Sequence, residues 1–506
     1  MGIRSLRMGS SAIALVLSGS VACADVTAEQ VWTDFKGYLE GFGYTVNGTE
    51  QTASDGLTVS GLTMTMAIPD DGGTASLAMD SMTFTELGDG RVRVTMPDRV
   101  PMAITATPPD GQGEDITMTM DYAQKGFDLV VSGDPDNFVY TYSAAEMAFV
   151  LNSLSMGDVP MDIRDARMTV TDLAGNSAST GTELRQIVQT MTAGALSYVL
   201  DIVNPEDPTG VVDVTGSIEN LSFDGTASLP ADIDTSDMPA ALKAGFAVSG
   251  GYTYENGTSE FAITGQGQSF EGNTSSEAGN LTMRLDSTSM LYSGEATGVA
   301  MNYAGTDIPL PITLTMGQAG FNMLMPIGQT EEPTDFGLGL TLGDVAVSDM
   351  IWGMIDPAGQ LPRDPATIQI DLAGKARLTQ DIMDEQAMMA ASSPFGEIHA
   401  LTVNALTLAI AGARLSGAGD FTFDNADMTT FPGMPRPEGA LDLQLTGGNS
   451  LLDTLVAMGL LPEEQAMGAR MMLGLFARPG SGPDSLTSRI EITPDGQLLA
   501  NGQRLR

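Results

Sequence analysis

Alternation of apolar and polar residues along most of this chain constrains its fold more than any other feature. At 91–96 the residues Val92, Val94 and Met96 alternate with arginine and threonine, and at 115–122 apolar residues alternate with aspartate and threonine. Successive side chains of a β-strand point to opposite faces, so these segments predict strands with one face on a core and one in water. Asp-Gly and Asn-Gly turn sequences separate them at the spacing of hairpins. We therefore predict a mainly β fold, either one long curled antiparallel sheet or two similar β-rich lobes.

Two distant segments indicate that a strand, a bend and a second strand form a recurring unit. The stretches GLTVSGLTMTM and ALTVNALTLAI both show an alternation that slips by one residue, at Gly61 and at Ala405. Such a slip is typical of a β-bulge or of a tight bend between strands. After a signal peptide at 1–24, we predict an N-terminal β-rich lobe at 25–335 and a C-terminal β-rich lobe at 336–506.

An amphipathic helix is predicted at the start of the mature chain, over 27–44. Thr27 and Gln30 have the spacing of a capping box, in which each side chain hydrogen-bonds the backbone of the other residue. Apolar residues then follow on one helical face: Val31, Trp32, Phe35, Leu39 and Phe42. Shorter helices are predicted at 236–244, 347–355 and 380–390.

A helical hairpin is predicted near the C-terminus, at 450–478. Ser450 and Asp453 are expected to cap its first helix, a glycine ends that helix, and a proline suits the first turn of the second. The predicted contacts bring together apolar residues of both helices: Leu455, Met467, Met471 and Phe476. We expect the hairpin to cover an open end of the sheet. Membrane attachment is disfavoured because interfacial helices are usually rich in lysine and arginine, and this hairpin has few of either.

The first 24 residues have the features of a secretory signal peptide. Two arginines precede an apolar run, and a small-residue sequence follows it, so cleavage is expected between Ala24 and Asp25. The alternative is a lipoprotein in which Cys23 carries the lipid. Cys23 is the only cysteine, and no later segment is apolar enough to span a bilayer. We therefore predict a periplasmic mature protein without disulfides and without a transmembrane span.

The charge of the chain excludes one class of partner. The sequence contains 64 acidic and 22 basic residues, which gives a formal net charge of −42. Such a charge repels nucleic acids and anionic surfaces, so no nucleic-acid partner is expected. Acidic residues spread over turns keep an exported protein soluble, and we favour this interpretation over a specific cationic partner.

Residues suited to catalysis or metal binding are scarce. His399 is the only histidine, and the chain has no Gly-x-Ser-x-Gly sequence, so a histidine-based triad is not expected. One histidine, with no cysteine expected after removal of the signal peptide, serves zinc, copper or haem poorly. The groups Asp232-Asp234-Asp237 and Asp424-Asp427 lack the spacing of a calcium loop and are interpreted as acidic turns. We predict no enzyme, no cofactor, and no catalytic, cofactor-binding or metal-binding residues.

Methionine is unusually common in this chain. The 33 methionines outnumber the 17 phenylalanines, 10 tyrosines and 2 tryptophans together. Flexible thioether side chains fill irregular cores, and they also line adaptable binding surfaces. In the predicted strand at 62–68, apolar residues share one face: Leu62, Met64, Met66 and Ile68. This pattern is compatible with an ordinary core and with a methionine-lined groove for acyl chains.

Four long stretches resemble the alphaproteobacterial domain-of-unknown-function family 2125: ADVTAEQVWTDFKGYLEGFGY, GLTVSGLTMTM, SDMIWGMIDPAGQLPRDPATIQIDLAGKA and LVAMGLLPEEQAMGARMMLGLFARP. The resemblance covers nearly the whole mature chain. It implies a periplasmic protein with no established activity and no motif of catalytic residues. The strand-rich layout is more distantly similar to AsmA-like envelope proteins, whose long sheets form apolar grooves associated with lipid handling. Similarity of fold does not by itself determine function.

The sequence leaves three functions open. The first is a non-enzymatic periplasmic protein that binds or handles lipids or other apolar envelope components in a β-groove. The alternative is a structural or interaction protein of the cell envelope, which binds another envelope protein through a sheet edge and has no small ligand. The third is an acid/base hydrolase. A continuous apolar surface open to solvent would favour the first function, and a sheet filled by its own side chains would favour the second.

Overall fold

The computed structural model describes residues 25–68, 73–106, 114–157, 159–205, 207–231, 233, 237–383 and 395–505. The predicted signal peptide up to Ala24, the carboxylates Asp232 and Asp234, and most of the helix predicted at 380–390 lie outside these residues. The helices among the described residues are α1 (Ala28–Gly41), α2 (Met238–Lys243), α3 (Asp349–Ile355), α4 (Gly448–Ala457) and α5 (Glu463–Phe476).

Strands make up most of the described chain. They are β1 (Thr45–Ala53), β2 (Gly56–Ile68), β3 (Gly73–Glu86), β4 (Val92–Thr95), β5 (Arg99–Ala106), β6 (Ile116–Lys125), β7 (Asp128–Asp134), β8 (Asn137–Met156), β9 (Val159–Pro160), β10 (Asp162–Thr180), β11 (Leu184–Val203), β12 (Val211–Pro230), β13 (Ala247–Gly265), β14 (Gln268–Leu285), β15 (Ser289–Gly305), β16 (Ile308–Pro326), β17 (Thr334–Val347), β18 (Ala366–Leu378), β19 (Gly396–Ile410), β20 (Ala413–Asp424), β21 (Arg436–Thr446), β22 (Arg478–Pro479), β23 (Ser485–Ile492), β24 (Leu498–Ala500) and β25 (Gln503–Arg504). The mainly β fold predicted from the alternation is confirmed.

All of these strands belong to one antiparallel sheet. Strands β1, β2 and β3 are neighbours at one edge. Two shorter pairs, β5 with β6 and β4 with β7, then connect β3 to β8. Strand β8 pairs with β10, and from β10 to β21 each strand pairs with the next one along the chain. The predicted long antiparallel sheet is confirmed, and its ladder continues through residue 335 because β17 pairs with both β16 and β18.

Helix α1 packs on the first strands and forms a closed core with them. The capping box is confirmed: the Gln30 amide donates to Thr27 Oγ1 at 3.3 Å, and the Thr27 amide donates to Gln30 Oε1 at 2.9 Å. The Trp32 and Phe84 ring centroids are 5.8 Å apart. Other buried members of this core are Val31, Val46, Leu57, Val59, Leu62, Met82 and Val92. Full burial of such side chains stabilises the fold by about 1.5–3 kcal/mol each.

A crease crosses the sheet near the middle of its long strands. Residues on the crease have positive φ angles: Gly61, Asp172, Asn220, Asn256, Gly298 and Asp344 within strands, and Gly126 between β6 and β7. Small residues in adjacent strands make room for some of these, since a Cβ atom on Gly194 would lie only 3.0 Å from Asp172 Oδ2. At the crease, the alternation of side chains between the two faces of the sheet shifts by one residue. Val170 and Leu173, on either side of it, therefore pack in the same apolar cluster.

The two slips predicted from the sequence are both present. Gly61 has a φ of 58°, a conformation that glycine adopts without steric cost, and Val59 and Leu62 on either side of it are both buried. In β19 the pairing register shifts between Val403 and Leu406, which flank Ala405 closely. The slips let each strand keep its apolar residues on one face of the sheet while the strand bends.

Candidate functional site

One face of the sheet is apolar on both sides of the crease, and we call it the apolar face. Its continuity follows from the pairing register. Tyr292 lies opposite Met283 and Met323, Met323 lies opposite Leu338, and Leu338 lies opposite Leu372. Paired residues of an antiparallel sheet lie on the same face. The apolar surface therefore extends from strand to strand along the sheet.

Many large side chains of the apolar face are open to solvent. Those at least 36% exposed include Phe149, Met168, Tyr252, Ile263, Phe270, Met283, Tyr292, Ile312, Phe321, Leu338, Leu340, Ile368, Leu408 and Ile410. The opposite face is polar at neighbouring positions, where Thr282, Ser293 and Asn322 lie side by side. Soluble monomers rarely expose contiguous apolar patches larger than a few hundred Å². The exposure of these residues makes the apolar face the candidate functional site.

Aromatic rings on the apolar face lie over glycines of the adjacent strand. Directly opposed pairs are Tyr142 with Gly175, Tyr198 with Gly216, Tyr254 with Gly279, Phe270 with Gly305, Tyr303 with Gly272, Phe321 with Gly294, and Phe336 with Gly374. A Cβ atom on Gly175 or on Gly216 would lie 2.4 Å from the tyrosine ring. The rings therefore lie close to the backbone, and the surface stays shallow. Glycine in a strand interior is a known sign of such close approach, but the sequence interpretation did not use it.

The apolar face contains two depressions, one slightly smaller than typical ligand pockets and one within their size range. The first has a volume of about 270 Å³ and includes Gly225 and Gly250. Its apolar lining comprises Ile187, Phe223, Val248, Tyr252, Leu281 and Met283. The second, of about 590 Å³, lies at the ends of β11 to β15, and its lining combines apolar residues such as Ile202 and Phe270 with the carboxylates Asp207 and Asp307 from the connecting loops. Typical small-molecule sites occupy roughly 300–1,000 Å³.

Helix α1 closes one end of the apolar face through a buried polar contact. Asp34 of α1 accepts hydrogen bonds from the Arg185 guanidinium of β11 and from the Tyr140 hydroxyl of β8. Burial and the Asp34 carboxylate together raise the pKa of Tyr140 above its ordinary value, so this hydroxyl stays protonated as a donor. In the described strands β12 to β17, apolar and uncharged polar residues alone make up the same face. This stretch is suited to an uncharged chain and not to an anionic group.

The sole histidine lies beside an ion pair. His399 Nε2 is 3.4 Å from Glu397 Oε2, and Arg377 donates to the same oxygen at 2.7 Å. The hydrogen bond from Arg377 is the main reason that the pKa of Glu397 lies below its ordinary value. Glu397 is thus held as a carboxylate by arginine. These contacts give Glu397 and Arg377 a structural role.

The carboxylates considered for calcium have structural partners. Arg436 pairs with Asp424 at 2.8 Å and with Asp427 at 3.1 Å. Asp427 also accepts hydrogen bonds from Thr430 and Thr429, which hold its pKa well below the ordinary value. Asp237 accepts from the Ala240 amide at 3.0 Å and caps α2. In the part of the chain that the structure describes, no group of three or more His, Cys, Asp or Glu side chains is placed to hold a metal ion.

The C-terminal hairpin is present as α4 and α5, but its contacts differ from those predicted. Met467 and Met471 are 62% and 72% exposed, so the prediction that they pack into the core is wrong. The inward ridge of α5 contains Ala466, which is buried, and Ala469 and Phe476. Both ridges of α5 are apolar, and the one with small alanine side chains allows the closer approach.

The predicted caps of α4 are also wrong. Gly447 occupies the N-cap position without a side-chain hydrogen bond. Asp484, from the chain beyond the hairpin, accepts from the Asn449 amide at 3.1 Å and from the Ser450 amide at 2.7 Å. Asp453 instead pairs with an arginine of α5. A distant carboxylate satisfies the free amides of the first turn, which a local sequence pattern does not reveal.

The chain matches a known protein family over its C-terminal half. A family model described as "Uncharacterized protein conserved in bacteria (DUF2125)" matches residues 238–502. No curated protein and no solved structure matches the chain. Among the described helices, none has the length and apolarity needed to cross a membrane.

Proposed function

The chain belongs to DUF2125, a family of uncharacterized proteins conserved in bacteria, and we propose that it binds the hydrocarbon chains of lipids or of other apolar envelope components on the apolar face. The observation that carries the proposal is the run of exposed large hydrophobic side chains across consecutive strands. Removing apolar surface from water is worth about 25 cal/mol per Å². Among the described residues, no second layer of helices or strands covers these side chains. A bound hydrocarbon chain would cover them and remove their apolar surface from water.

The surface favours this function over a purely structural one. An interaction protein without a small ligand was expected to fill its sheet with its own side chains. Instead, Met283, Leu338 and Leu408 are each about half exposed. The rings that cover glycines keep the face shallow, which leaves room for an extended chain. The shallow apolar surface therefore supports lipid handling as the first candidate.

We further propose that the protein catalyses no reaction. The sole histidine lies beside the ion pair of Arg377 with Glu397, and Arg436 engages Asp424 and Asp427. General acid and base groups instead need access to substrate within hydrogen-bond distance. The contacts of these charged groups support a binding protein.

Export to the periplasm is proposed from the N-terminal sequence. N-terminal sequencing of the protein from the periplasm is expected to begin at Asp25, because the small-residue site precedes it. Cys23→Ala is expected to leave processing and release intact. The lipoprotein alternative makes the opposite prediction: the unmodified protein is attached to the membrane through Cys23, and Cys23→Ala is not processed. These two results together would contradict cleavage before Asp25.

The binding proposal is tested with the purified chain of residues 25–506. A fluorescent, uncharged long-chain alcohol is added, and its emission is followed as unlabelled 1-hexadecanol displaces it. Saturable binding with displacement is expected, because the apolar face presents hydrocarbon-sized contact area. Absence of saturable binding would contradict the proposed function.

A further inference from the structure

The C-terminal hairpin and the sheet form the walls of an apolar cleft. The cleft lies between α4, α5 and strands β19 to β21 and has a volume of about 490 Å³. Its lining is apolar and includes Leu408, Leu415, Leu445, Leu452, Met472 and Phe476. The cleft is open to solvent on one side, since Leu408 and Met472 are 46% and 57% exposed. An apolar space of this volume falls in the range of ligand sites.

The hairpin is held above the cleft at both of its ends. Asp484 binds the first turn of α4, and at the end of α5 the Phe476 carbonyl accepts from Ser488 Oγ at 2.6 Å and from Asn501 Nδ2 at 2.8 Å. Arg470 and Asp453 join the two helices by an ion pair. These contacts fix the hairpin while the space beneath it stays unfilled by side chains. The cleft is therefore a feature of the folded protein and is not caused by a loosely attached segment.

The cleft continues the apolar face. Leu408, which lines the cleft, lies opposite Ile368, and Ile368 lies opposite Leu342 of β17. Leu408 and Ile368 are both exposed. Because these residues connect the open strands to the space beneath the hairpin, one extended molecule can contact both.

We infer that the cleft beneath the hairpin binds the terminal segment of a hydrocarbon chain whose remaining length lies on the apolar face, an inference that rests on the proposed function. The all-apolar lining excludes a charged end group, which would lose its hydration without a partner. The free methyl end of the chain has no such cost. The chain end thus occupies the cleft, and the polar end of the ligand lies outside it.

Photo-crosslinking tests this assignment on the chain of residues 25–506. The probe is 1-hexadecanol with a diazirine at the carbon next to the methyl end, and crosslinked peptides are identified by mass spectrometry. Crosslinks are expected on the hairpin, at residues such as Leu452 and Met472, and on β20 at Leu415. Crosslinks confined to β11–β17 would overturn the cleft assignment and leave the proposed function intact. Absence of any saturable crosslink would overturn both.

A matched pair of variants on one helix provides the control. Ala469→Phe fills the cleft from α5, and it is expected to reduce hairpin crosslinks at least tenfold, while the displaced chain end crosslinks to the open strands of the apolar face instead. Met467→Phe places the same ring on the outward side of α5 and is expected to leave the crosslinks unchanged. Hairpin crosslinks that survive in Ala469→Phe at the original level would contradict binding in the cleft.

Discussion

Met283→Asp is expected to weaken binding of 1-hexadecanol by about 100-fold or more. Met283 lines the pocket around Gly225 and Gly250 and is 52% exposed on the apolar face. A carboxylate there would lose water when hydrocarbon covers it, and burying an unpaired polar group costs roughly 3 kcal/mol or more, which corresponds to about a 100-fold change in Kd. The fluorescence displacement titration measures the change.

Thr282→Asp is the matched control, because the preceding residue lies on the polar face of the same strand. It adds the same charge at nearly the same place but outside the binding surface, so the Kd should change less than about threefold. Since Met283 is half exposed, Met283→Asp should also leave the unfolding midpoint close to that of the unmodified protein. Equal losses of affinity in the two variants would mean that net charge, and not the apolar face, governs binding.

Phe84→Ala is expected to cause the largest loss of stability. Phe84 is 1% exposed and packs against Trp32 of α1. Truncating a buried phenylalanine typically costs about 3–5 kcal/mol, a large share of the roughly 5–15 kcal/mol that stabilises most domains. Urea unfolding followed by circular dichroism measures the shift in midpoint.

Leu338→Ala serves as the comparison for Phe84→Ala. Leu338 also lies on the apolar side of a strand, but it is 52% exposed. Its truncation should therefore cost less than about 1 kcal/mol, while it weakens hydrocarbon binding. A loss of stability equal to that of Phe84→Ala would show that another part of the protein covers Leu338, and it would contradict an open apolar face.

The sequence predicted which residues share a face, but it did not predict what covers that face. Met82 and Met283 both occur in alternating segments and look equivalent in the sequence. Met82 is buried beneath α1, and Met283 is open to solvent. The alternation of apolar and polar residues reflects the geometry of a single strand. Whether the apolar face of that strand is buried depends on where a helix from another part of the chain packs. The slips at Gly61 and Ala405 were predictable because they break the local pattern.

The aromatic and glycine pairs depend on register between strands. Tyr198 and Gly216 are 18 positions apart in the sequence, and they meet only because β11 and β12 pair as they do. Each residue alone has several ordinary explanations in a strand. The sequence therefore indicated an apolar face but not that its rings lie close to the backbone.

The hairpin shows a second limit of periodicity. Its two helices were predicted because a glycine and a proline divide the segment, and both helices are present. The direction in which α5 faces was predicted wrongly, since the ridges that contain Met471 and Phe476 are both apolar. The alanines of the inward ridge decide the packing. Phe476 lines the cleft instead of a closed core, so its truncation should destabilise the protein less than Phe84→Ala does.

Recovery of lipid from the protein in its own cell is the most direct test of the account. The protein is purified without detergent from the cells in which it occurs naturally and extracted with organic solvent, and the extract is analysed by mass spectrometry beside that of Met283→Asp. The account predicts a long-chain lipid or other apolar envelope component in near-stoichiometric amount from the unmodified protein, and its loss from the variant. Extracts that contain no such molecule, or the same amount from both proteins, would contradict the proposal that the apolar face binds hydrocarbon chains.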